Sequence, residues 1–284
     1  MIVKDRNNKI IKNTSSSNLQ KFLYNTIIGR FILKLLTLRF ISKLVGLFLN
    51  SHLSKIFIKK FVKDNNIDLT NCEKNKFKSY NDFFTRKLKN INYDTNPNIL
   101  ISPCDSKLLI KKINKNSYYN IKDTHYRILD ILKNNDLANE FNNGYILVFR
   151  LEVTDYHRYH YIDNGYLLEK KEIKGRLHTV NPIAFRKYNV YKENSRVINV
   201  LKTNNFGKII QIEVGALCVG KINNNNLSNF NKGDEKGYFL YGGSTVIILI
   251  KGNIVNFDND ILINSNKNIE TIVKVGERIG KKIN

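Results

Sequence analysis

Gly233-Asp-Glu-Lys-Gly-Tyr-Phe-Leu-Tyr-Gly-Gly-Ser-Thr245 leads without interruption into the apolar run Val246-Ile-Ile-Leu-Ile250. A short β-branched run after a glycine-rich turn predicts a buried β-strand. The paired glycines before Ser244 allow positive φ angles and a close approach of the backbone to other groups. Ser244 is therefore expected on a tight turn at the mouth of a buried strand. An ordinary hairpin turn has the same spacing, and a G-x-S-x-G hydrolase elbow is excluded because Val246 stands where the second glycine belongs.

Three further segments upstream share this strand-like character. They are residues 144–153, 196–202 and 207–222, which are rich in β-branched residues and separated by Asn, Asp and Gly turns. Their spacing predicts mainly antiparallel β structure without repeated βαβ units. Residues 223–226 and 263–268 are polar and are expected in surface loops.

The N-terminal quarter has a helical pattern instead. Its polar residues fall on two stripes that lie on nearly opposite sides of a single straight helix. The stripes are Arg30, Lys34 and Thr37, and then Arg39, Lys43, Gly46 and Asn50. We therefore predict two short amphipathic helices with a break near Thr37–Leu38, and a third, basic helix over residues 54–63. The predicted fold class is α+β, with N-terminal amphipathic helices (1–63) followed by a mainly antiparallel, β-rich catalytic body (64–284).

The charge of the chain is concentrated in that helical region. The 284 residues carry a formal net charge of +23, and residues 1–63 hold +12 of it, with Asp5 as their single acidic residue. A biased genome that inflates Lys and Asn is one explanation. Basic amphipathic helices also suit the surface of an anionic membrane, and a helical cap packed on the body is compatible with both. The apolar stretch 31–49 is interrupted by Lys34, Arg39 and Lys43, so it is not expected to span a bilayer.

Cysteine usage indicates neither a disulfide framework nor a metal centre. Cys72, Cys104 and Cys218 are far apart, odd in number and in no CxxC pair. The first twenty residues are polar and basic and lack the apolar core of a secretory signal. A reducing compartment and no metal site are expected.

Two short motifs contain candidate acid–base residues. Asp155-Tyr-His-Arg-Tyr-His160 holds the only close pair among five histidines, and Ile101-Ser-Pro-Cys-Asp-Ser-Lys107 displays Asp105 on a predicted turn. Histidine is suited to proton transfer near neutral pH. A purely structural histidine pair fits the first motif equally well, and His157 and His160 would point to opposite faces of an extended strand.

Taken together and in this order, the motifs resemble the phosphatidylserine decarboxylase family over about residues 25–280. Besides the three motifs quoted above, the matching blocks are Tyr80-Asn-Asp-Phe-Phe-Thr-Arg-Lys-Leu-Lys89, Thr179-Val-Asn-Pro182, Glu193-Asn-Ser-Arg-Val197, Val214-Gly-Ala-Leu-Cys-Val-Gly220 and Lys232-Gly-Asp-Glu-Lys-Gly-Tyr-Phe239. Two positions depart from the family: Ser106 stands in place of a glycine, and Ile162 in place of a proline. Both departures concern the shape of loops beside the key residues.

The resemblance implies a self-processing enzyme. The bond between Gly243 and Ser244 would be cleaved, with Asp105, His160 and Ser244 as the processing triad, and His157 would assist decarboxylation. Ser244 would become a covalent pyruvoyl group, the cofactor, because decarboxylation of an amino acid needs an electron sink that no encoded side chain provides. The products of cleavage would be chains 1–243 and 244–284, which remain together as a heterodimer.

The resemblance also implies a partner and a location. The substrate would be phosphatidylserine, converted to phosphatidylethanolamine in phospholipid biosynthesis, and the enzyme would be peripheral on the cytoplasmic face of a bacterial membrane. Higher oligomers are compatible with the sequence. Nucleic-acid binding is disfavoured because the excess charge decorates apolar helices. A serine hydrolase that stays uncut and a pyruvoyl decarboxylase of a soluble amino acid are the remaining alternatives.

Overall fold

The computed structural model describes residues 2–13, 17–115, 118–121, 124–185, 187–217, 221–225, 227–242 and 244–283. Gly243 and Cys218, both named above, lie outside these residues.

The described residues form eighteen strands. In chain order these are β1 (Ile2–Lys4), β2 (Ile10–Asn13), β3 (Ile99–Ile101), β4 (Ser106–Lys112), β5 (Tyr118–Ile121), β6 (Thr124–Arg127), β7 (Tyr145–Leu151), β8 (Arg158–His160), β9 (Gly165–Ile173), β10 (Arg196–Thr203), β11 (Gly207–Val214), β12 (Ile222–Asn224), β13 (Asn229–Phe230), β14 (Glu235–Phe239), β15 (Ser244–Ile250), β16 (Val255–Phe257), β17 (Glu270–Val273) and β18 (Arg278–Lys282). Ten of them form one sheet in the order β13-β9-β10-β11-β15-β7-β4-β17-β1-β2. Within this sheet β1 and β17 run parallel, and the other pairs are antiparallel.

Strand β15 lies in the middle of this sheet, between β11 and β7. All seven of its residues are buried. Ser244 is opposite Leu151 of β7, and Thr245 is opposite Val214 of β11. The predicted strand after Ser244 is thus confirmed, and Ser244 itself is its first residue.

The described helices are α1 (Asn18–Asn25), α2 (Ile27–Leu36), α3 (Arg39–Asn50), α4 (Ile56–Asp64), α5 (Tyr80–Phe84), α6 (Ile128–Leu132), α7 (Asn135–Glu140), α8 (Pro182–Phe185), α9 (Val190–Glu193) and α10 (Asn259–Asn266), with a 3-10 turn at His52–Lys55 before α4. The predicted break between two amphipathic helices is confirmed. Thr37 ends α2, and Leu38 has extended backbone angles (φ −70°, ψ 138°), which an uninterrupted helix does not allow. The α+β class with N-terminal helices is confirmed as well.

Four local predictions differ from the structure. Residues 2–4 and 10–13 form sheet strands rather than part of a helical region, because β1 pairs with β17 and Arg6 reaches Asp258 at 2.9 Å. Part of the predicted loop 263–268 belongs to α10, and part of the loop 223–226 belongs to β12, because tertiary pairing overrides local polarity. The strand predicted over 207–222 ends at Val214.

Helices α1 to α4 expose an unusual number of large apolar side chains, which we call the apolar face. Its members are Leu19, Phe22, Ile27, Ile28, Phe31, Ile32, Leu35, Leu38, Phe40, Leu44, Leu47, Phe48, Leu53, Ile56 and Phe57. Apolar surface on this scale in a folded protein marks a site of interaction. In the part of the chain that the structure describes, none of the helices has the length and apolar character needed to cross a membrane.

The helical segment is nevertheless anchored to the body. Leu23, Tyr24 and Leu33 join the main core, and the Tyr24 hydroxyl accepts a hydrogen bond from the backbone N–H of Thr179 at 2.9 Å. Leu49 belongs to a second, smaller core with four aromatic residues, Phe77, Tyr80, Phe83 and Phe84. This second core connects α3 and α5 to Tyr241, three residues before Ser244.

Candidate active site

Ser244 is completely buried, and its hydroxyl has no hydrogen-bond partner among the described residues. Buried polar groups are nearly always paired, because an unpaired one loses its interaction with water and gains nothing in return. Gly242, with φ 133°, turns the chain into β15 just before it. An orphaned hydroxyl at a glycine turn is a candidate for a reacting group.

His157 lies close to this turn. Its Nδ1 is 2.8 Å from the carbonyl oxygen of Asp155, and since a carbonyl only accepts, Nδ1 donates and Nε2 keeps its lone pair. That Nε2 is buried and makes no hydrogen bond to another described residue. The ring packs on Phe84 with centroids 3.9 Å apart, and it contacts the backbone of Gly242. Burial lowers the pKa of His157 to about 3, so the ring is neutral at pH 7.

His160 has the same arrangement of its ring nitrogens. Nδ1 lies 3.0 Å from the carbonyl oxygen of Gly233, and Nε2 is buried without a partner. Burial also lowers its pKa. On strand β8, His160 is paired with Glu235. The backbone carbonyl of His157 instead accepts the N–H of Phe239, and Phe239 is closer to Ser244 in sequence than Glu235 is. His157 is therefore the histidine beside the turn, and His160 lies one strand length away.

Asp105 is held by a different set of contacts. Its carboxylate accepts hydrogen bonds from Lys274 Nζ and from the backbone N–H of Val275, both at 2.9 Å. The loop of Asp105 still reaches His160, because the backbone N–H of His160 donates to the carbonyl of Pro103 at 2.9 Å.

The three residues predicted as a processing triad thus lie in one region but do not form a hydrogen-bonded chain. The Ser244 hydroxyl and both histidine Nε2 atoms are without partners, so none of them is bonded to another. Catalytic hydrogen bonds are often long before the reacting complex forms, so this geometry is compatible with the predicted roles and does not test them.

Other charged groups complete the site, and sequence reasoning did not assign them roles. Lys107 Nζ lies 2.6 Å from the Asp155 carboxylate, and both side chains are almost fully buried. Burial raises the pKa of Asp155, and Lys107 opposes that rise. The guanidinium of Arg86 lies over the ring of Phe83 at 5.3 Å, and burial lowers its pKa. The positive charges of Arg86 and Lys107 help to keep His157 neutral.

The turn before Ser244 is fixed from the helical side by Asn81, which sequence reasoning also missed. Asn81 is buried, and its Oδ1 accepts the backbone N–H of Tyr241 at 3.1 Å. Its Nδ2 donates to Asn50 Oδ1 of α3 at 3.0 Å. Asn81 belongs to the matching block 80–89, but an asparagine in a short motif can have many structural roles, so its contact with Tyr241 could not be inferred.

Asn194 explains why several of the matching blocks occur together. Its Nδ2 donates to the carbonyls of His178 and Gly215, each at 2.8 Å, and its Oδ1 accepts the N–H of His178. Gly215 follows Val214, the partner of Thr245, so it comes opposite Ser244. A single buried amide therefore connects the blocks 193–197 and 214–220 with His178, the residue before the block 179–182.

The residues present fit a group made from the chain itself. In a pyruvoyl group a ketone replaces the amine on the Cα of residue 244, and the side chain becomes a methyl group that is smaller than that of serine. No new cavity is therefore needed, and the neutral His157 ring lies close to this turn. Among the described residues, no three His, Cys, Asp or Glu side chains cluster closely enough to hold a metal ion.

Comparisons with known proteins identify the family of the chain. Residues 80–281 match the family model of phosphatidylserine decarboxylase. The chain is 48% identical over 264 residues to phosphatidylserine decarboxylase proenzyme 2 of Clostridium acetobutylicum, covering 92% of this chain and 91% of that protein. It is 42% identical over 280 residues to the phosphatidylserine decarboxylase proenzyme of Clostridium tetani, with coverage of 96% and 94%. Against a proenzyme of the same name from Clostridium botulinum, identity is 45% over 244 residues and 82% of each chain.

Each of these matches covers more than four fifths of both chains, and every block quoted from the sequence lies within the residues matched by the family model. The chain is therefore a decarboxylase and belongs to the phosphatidylserine decarboxylase family.

Proposed function

We propose that this enzyme converts phosphatidylserine to phosphatidylethanolamine with a pyruvoyl group that it makes from Ser244 by cutting the Gly243–Ser244 bond. The observation that carries the proposal is the Ser244 hydroxyl, which is buried, unpartnered and placed at a glycine turn. The relatives are named proenzymes, which fits a chain that is made uncut.

Self-cleavage requires a base for the serine hydroxyl. Once deprotonated, Ser244 Oγ attacks the carbonyl carbon of Gly243, and the amide becomes an ester as the amine of residue 244 takes up the proton. Loss of the Cα proton then expels the Gly243 carboxylate and leaves dehydroalanine at residue 244. Addition of water releases ammonia and leaves a ketone, so no oxidant or reductant is needed.

The proposed base is His160, assisted by Asp105. Its Nδ1–H is already fixed by the carbonyl of Gly233, so Nε2 is the free base. A lowered pKa keeps that base unprotonated at neutral pH. The proximity of His157 to Gly242 makes His157 the competing base, and variants of the two residues distinguish the assignments.

The proposed role of His157 is proton transfer to the carbon that loses CO2. The pyruvoyl carbonyl, once bound to the substrate amine, supplies the electron sink for that loss. Its Nδ1–H is held by the carbonyl of Asp155, which fixes the direction of Nε2. An anionic substrate nearby raises the pKa of a buried imidazole, so substrate binding favours uptake of the proton that His157 then delivers.

Docking to a membrane surface is part of the same proposal. The apolar face of α1 to α4 is exposed, and residues 1–63 carry a net charge of +12. Apolar burial and attraction to anionic headgroups both favour the lipid interface. The cytoplasmic face of a bacterial membrane is the proposed location.

Phosphatidylserine labelled in its carboxyl carbon tests the activity directly. Purified enzyme should release one labelled CO2 for each phosphatidylethanolamine formed, and free serine at the same concentration should release far less. An enzyme that turns over serine as well as the lipid would be a soluble amino-acid decarboxylase. Hydrolysis of acyl esters without release of CO2 would identify a serine hydrolase.

A further inference from the structure

A cavity of about 580 Å³ lies between helix α3 and the end of the sheet that carries Ser244. One wall is the polar side of α3, including Lys43, Gly46 and Asn50. The opposite wall includes Gly215 and Leu240. The family assignment gives this cavity no role.

The position of the cavity relative to Ser244 follows from the strand register. The pairing of β11 with β15 ends at Val214 opposite Thr245, and Gly215 and Ser244 are the next residues along the two chains. Continuation of the same register places side chains at these two positions on one face of the sheet. A Cβ on Gly215 would point at Leu177 (3.2 Å) and Ile222 (3.8 Å), and both residues line the cavity. The Ser244 side chain is therefore on the cavity side of the sheet.

The far end of the cavity meets the apolar face of the helices. Phe40 and Leu47 line it and are 66% and 59% exposed. An amphiphile held there can keep its acyl chains against these side chains while its polar end points toward the sheet.

Three lysines of separate elements surround the space between those two ends. They are Lys43 on α3, Lys174 just after β9, and Lys221 just before β12. No described carboxylate lies within 4.0 Å of their ammonium groups, and Glu172 is the only acidic residue among the described residues of the lining. Arg196, also in the lining, is occupied by carbonyls such as that of Ile131.

We infer that this cavity binds the phosphodiester of the substrate, with Lys43, Lys174 and Lys221 as its cationic partners. The inference rests on the proposed function, and it assigns the site that orients the lipid. Lysine suits such a site because it offers a mobile point charge to a phosphate. With the phosphate there, the amino-acid end of the headgroup points to Ser244 and the acyl chains to Phe40 and Leu47.

Another cavity of about 610 Å³ is less suitable. It is lined by Lys202, Thr203 and Gly207, at the opposite end of strands β10 and β11 from Ser244. A headgroup bound there could not approach the reacting serine.

The test uses the variant Lys43→Gln/Lys174→Gln/Lys221→Gln and a short-chain phosphatidylserine kept below its micelle concentration. Below that concentration the lipid is monomeric in solution, so the measured KM does not include binding of the enzyme to a membrane. Loss of three charge-assisted contacts should raise KM by about 100-fold or more, with self-cleavage at the wild-type rate. The ratio of wild-type to variant kcat/KM should shrink as salt is raised, because screening weakens the contacts only in the wild type.

A matched control removes three exposed lysines elsewhere, Lys112→Gln/Lys115→Gln/Lys281→Gln, and should leave KM within about twofold. An unchanged KM in the cavity variant, with complete self-cleavage, would overturn the phosphodiester site and leave the proposed function standing. Failure of the wild-type enzyme to decarboxylate the short-chain lipid would overturn the proposed function itself.

Discussion

The side-chain oxygen of Asn81 accepts the backbone N–H of Tyr241 at 3.1 Å, and this contact joins the helical segment to the turn that precedes Ser244. The amide of the same side chain donates to Asn50 at the end of α3. Asn81 is buried, so neither contact is replaced easily by water. The turn is therefore held from the side that we propose to face the membrane.

Replacing Asn81 should slow self-cleavage. In Asn81→Ala the N–H of Tyr241 loses its acceptor, and a buried unsatisfied group costs about 1–3 kcal/mol. If that cost falls on the reactive conformation of the turn, cleavage slows by roughly 5- to 100-fold. The rate is measured as conversion of freshly synthesised chain into its two fragments on denaturing gels.

Asn50→Ala is the matched control for this prediction. It removes the shorter of the two contacts of Asn81 with α3, leaving the one to the carbonyl of Gly46 at 3.5 Å, and keeps the one to Tyr241. It should therefore cleave at nearly the wild-type rate. Equal slowing in both variants would mean that Asn81 stabilises the helices and does not position the turn. Their unfolding midpoints in a Ser244→Ala background provide the comparison of stability.

The fold was predictable where a single local pattern determined the structure. The break at Thr37–Leu38 followed from two polar stripes that one helix cannot present, and β15 followed from its β-branched run. Strand β1 was not predictable, because Ile2–Lys4 is a strand only through pairing with β17, more than 260 residues away. Such a distant pairing partner cannot be inferred from the local sequence.

The site was predictable as a set of residue types but not as a geometry. Ser244, His157 and His160 stood out as a glycine-flanked serine and the one close histidine pair. The contacts of Asp105 with Lys274 and Val275 depend on how distant segments pack, as does the position of Asn81. The lysines around the cavity were hidden among the many lysines of a basic chain.

Substitution of the two histidines should separate the two reactions. His160→Ala should leave a full-length chain, because Ser244 loses its proposed base. His157→Ala should be cleaved at least in part and decarboxylate poorly, since its proposed role follows the cut. Gels report cleavage, and labelled CO2 reports turnover. Exchanged phenotypes would make His157 the base, in keeping with its contact to Gly242.

The pH dependence of self-cleavage should reveal the burial of these rings. Burial lowers both pKa values, so the neutral, basic form persists below pH 6.5, where an exposed histidine becomes protonated. The pH at which the cleavage rate falls to half should therefore lie below 6.5. A rate that halves near pH 6.5 would show that the base is a solvated histidine. Freshly translated chain, transferred to buffers of different pH, gives the profile.

The same shifts predict a loss of stability in mild acid. Below pH 6.5 both histidines are protonated in the unfolded chain but remain neutral in the folded chain. The free energy of unfolding therefore decreases as the pH is lowered. Denaturant unfolding of uncut Ser244→Ala should show this fall between pH 7 and pH 5. His157→Gln in that background should show a smaller fall, and an equal slope would place the effect elsewhere.

The apolar face should control binding to vesicles. Deleting residues 1–63 would remove β1, Tyr24 and Leu49 from the folded body, so single charges are the better test. Phe31→Glu and Phe40→Glu, at side chains 68% and 66% exposed, should weaken binding to anionic vesicles while self-cleavage proceeds. Ile263→Glu, at a side chain 51% exposed on α10, is the control and should bind normally. Wild-type binding should weaken with salt, and equal binding to neutral vesicles would exclude the electrostatic part.

Maturation itself should yield chains 1–243 and 244–284. Strand β15 is paired along its length with β7 and β11, so the small chain should stay in the sheet after the cut and leave only under denaturing conditions. Its mass should be lower by one ammonia than that of the simple hydrolysis product, and Edman sequencing should fail because its first residue no longer has an amine. Ser244→Ala should stay uncut and inactive, whereas Ser244→Cys should cut slowly, since a thiol also makes the acyl shift.

Borohydride should inactivate the mature enzyme by reducing the ketone, and added pyridoxal phosphate should change nothing. An active enzyme that runs as one chain with an intact Ser244 would contradict the mechanism, because residue 244 would then have kept its amide nitrogen and its hydroxyl and could supply no ketone.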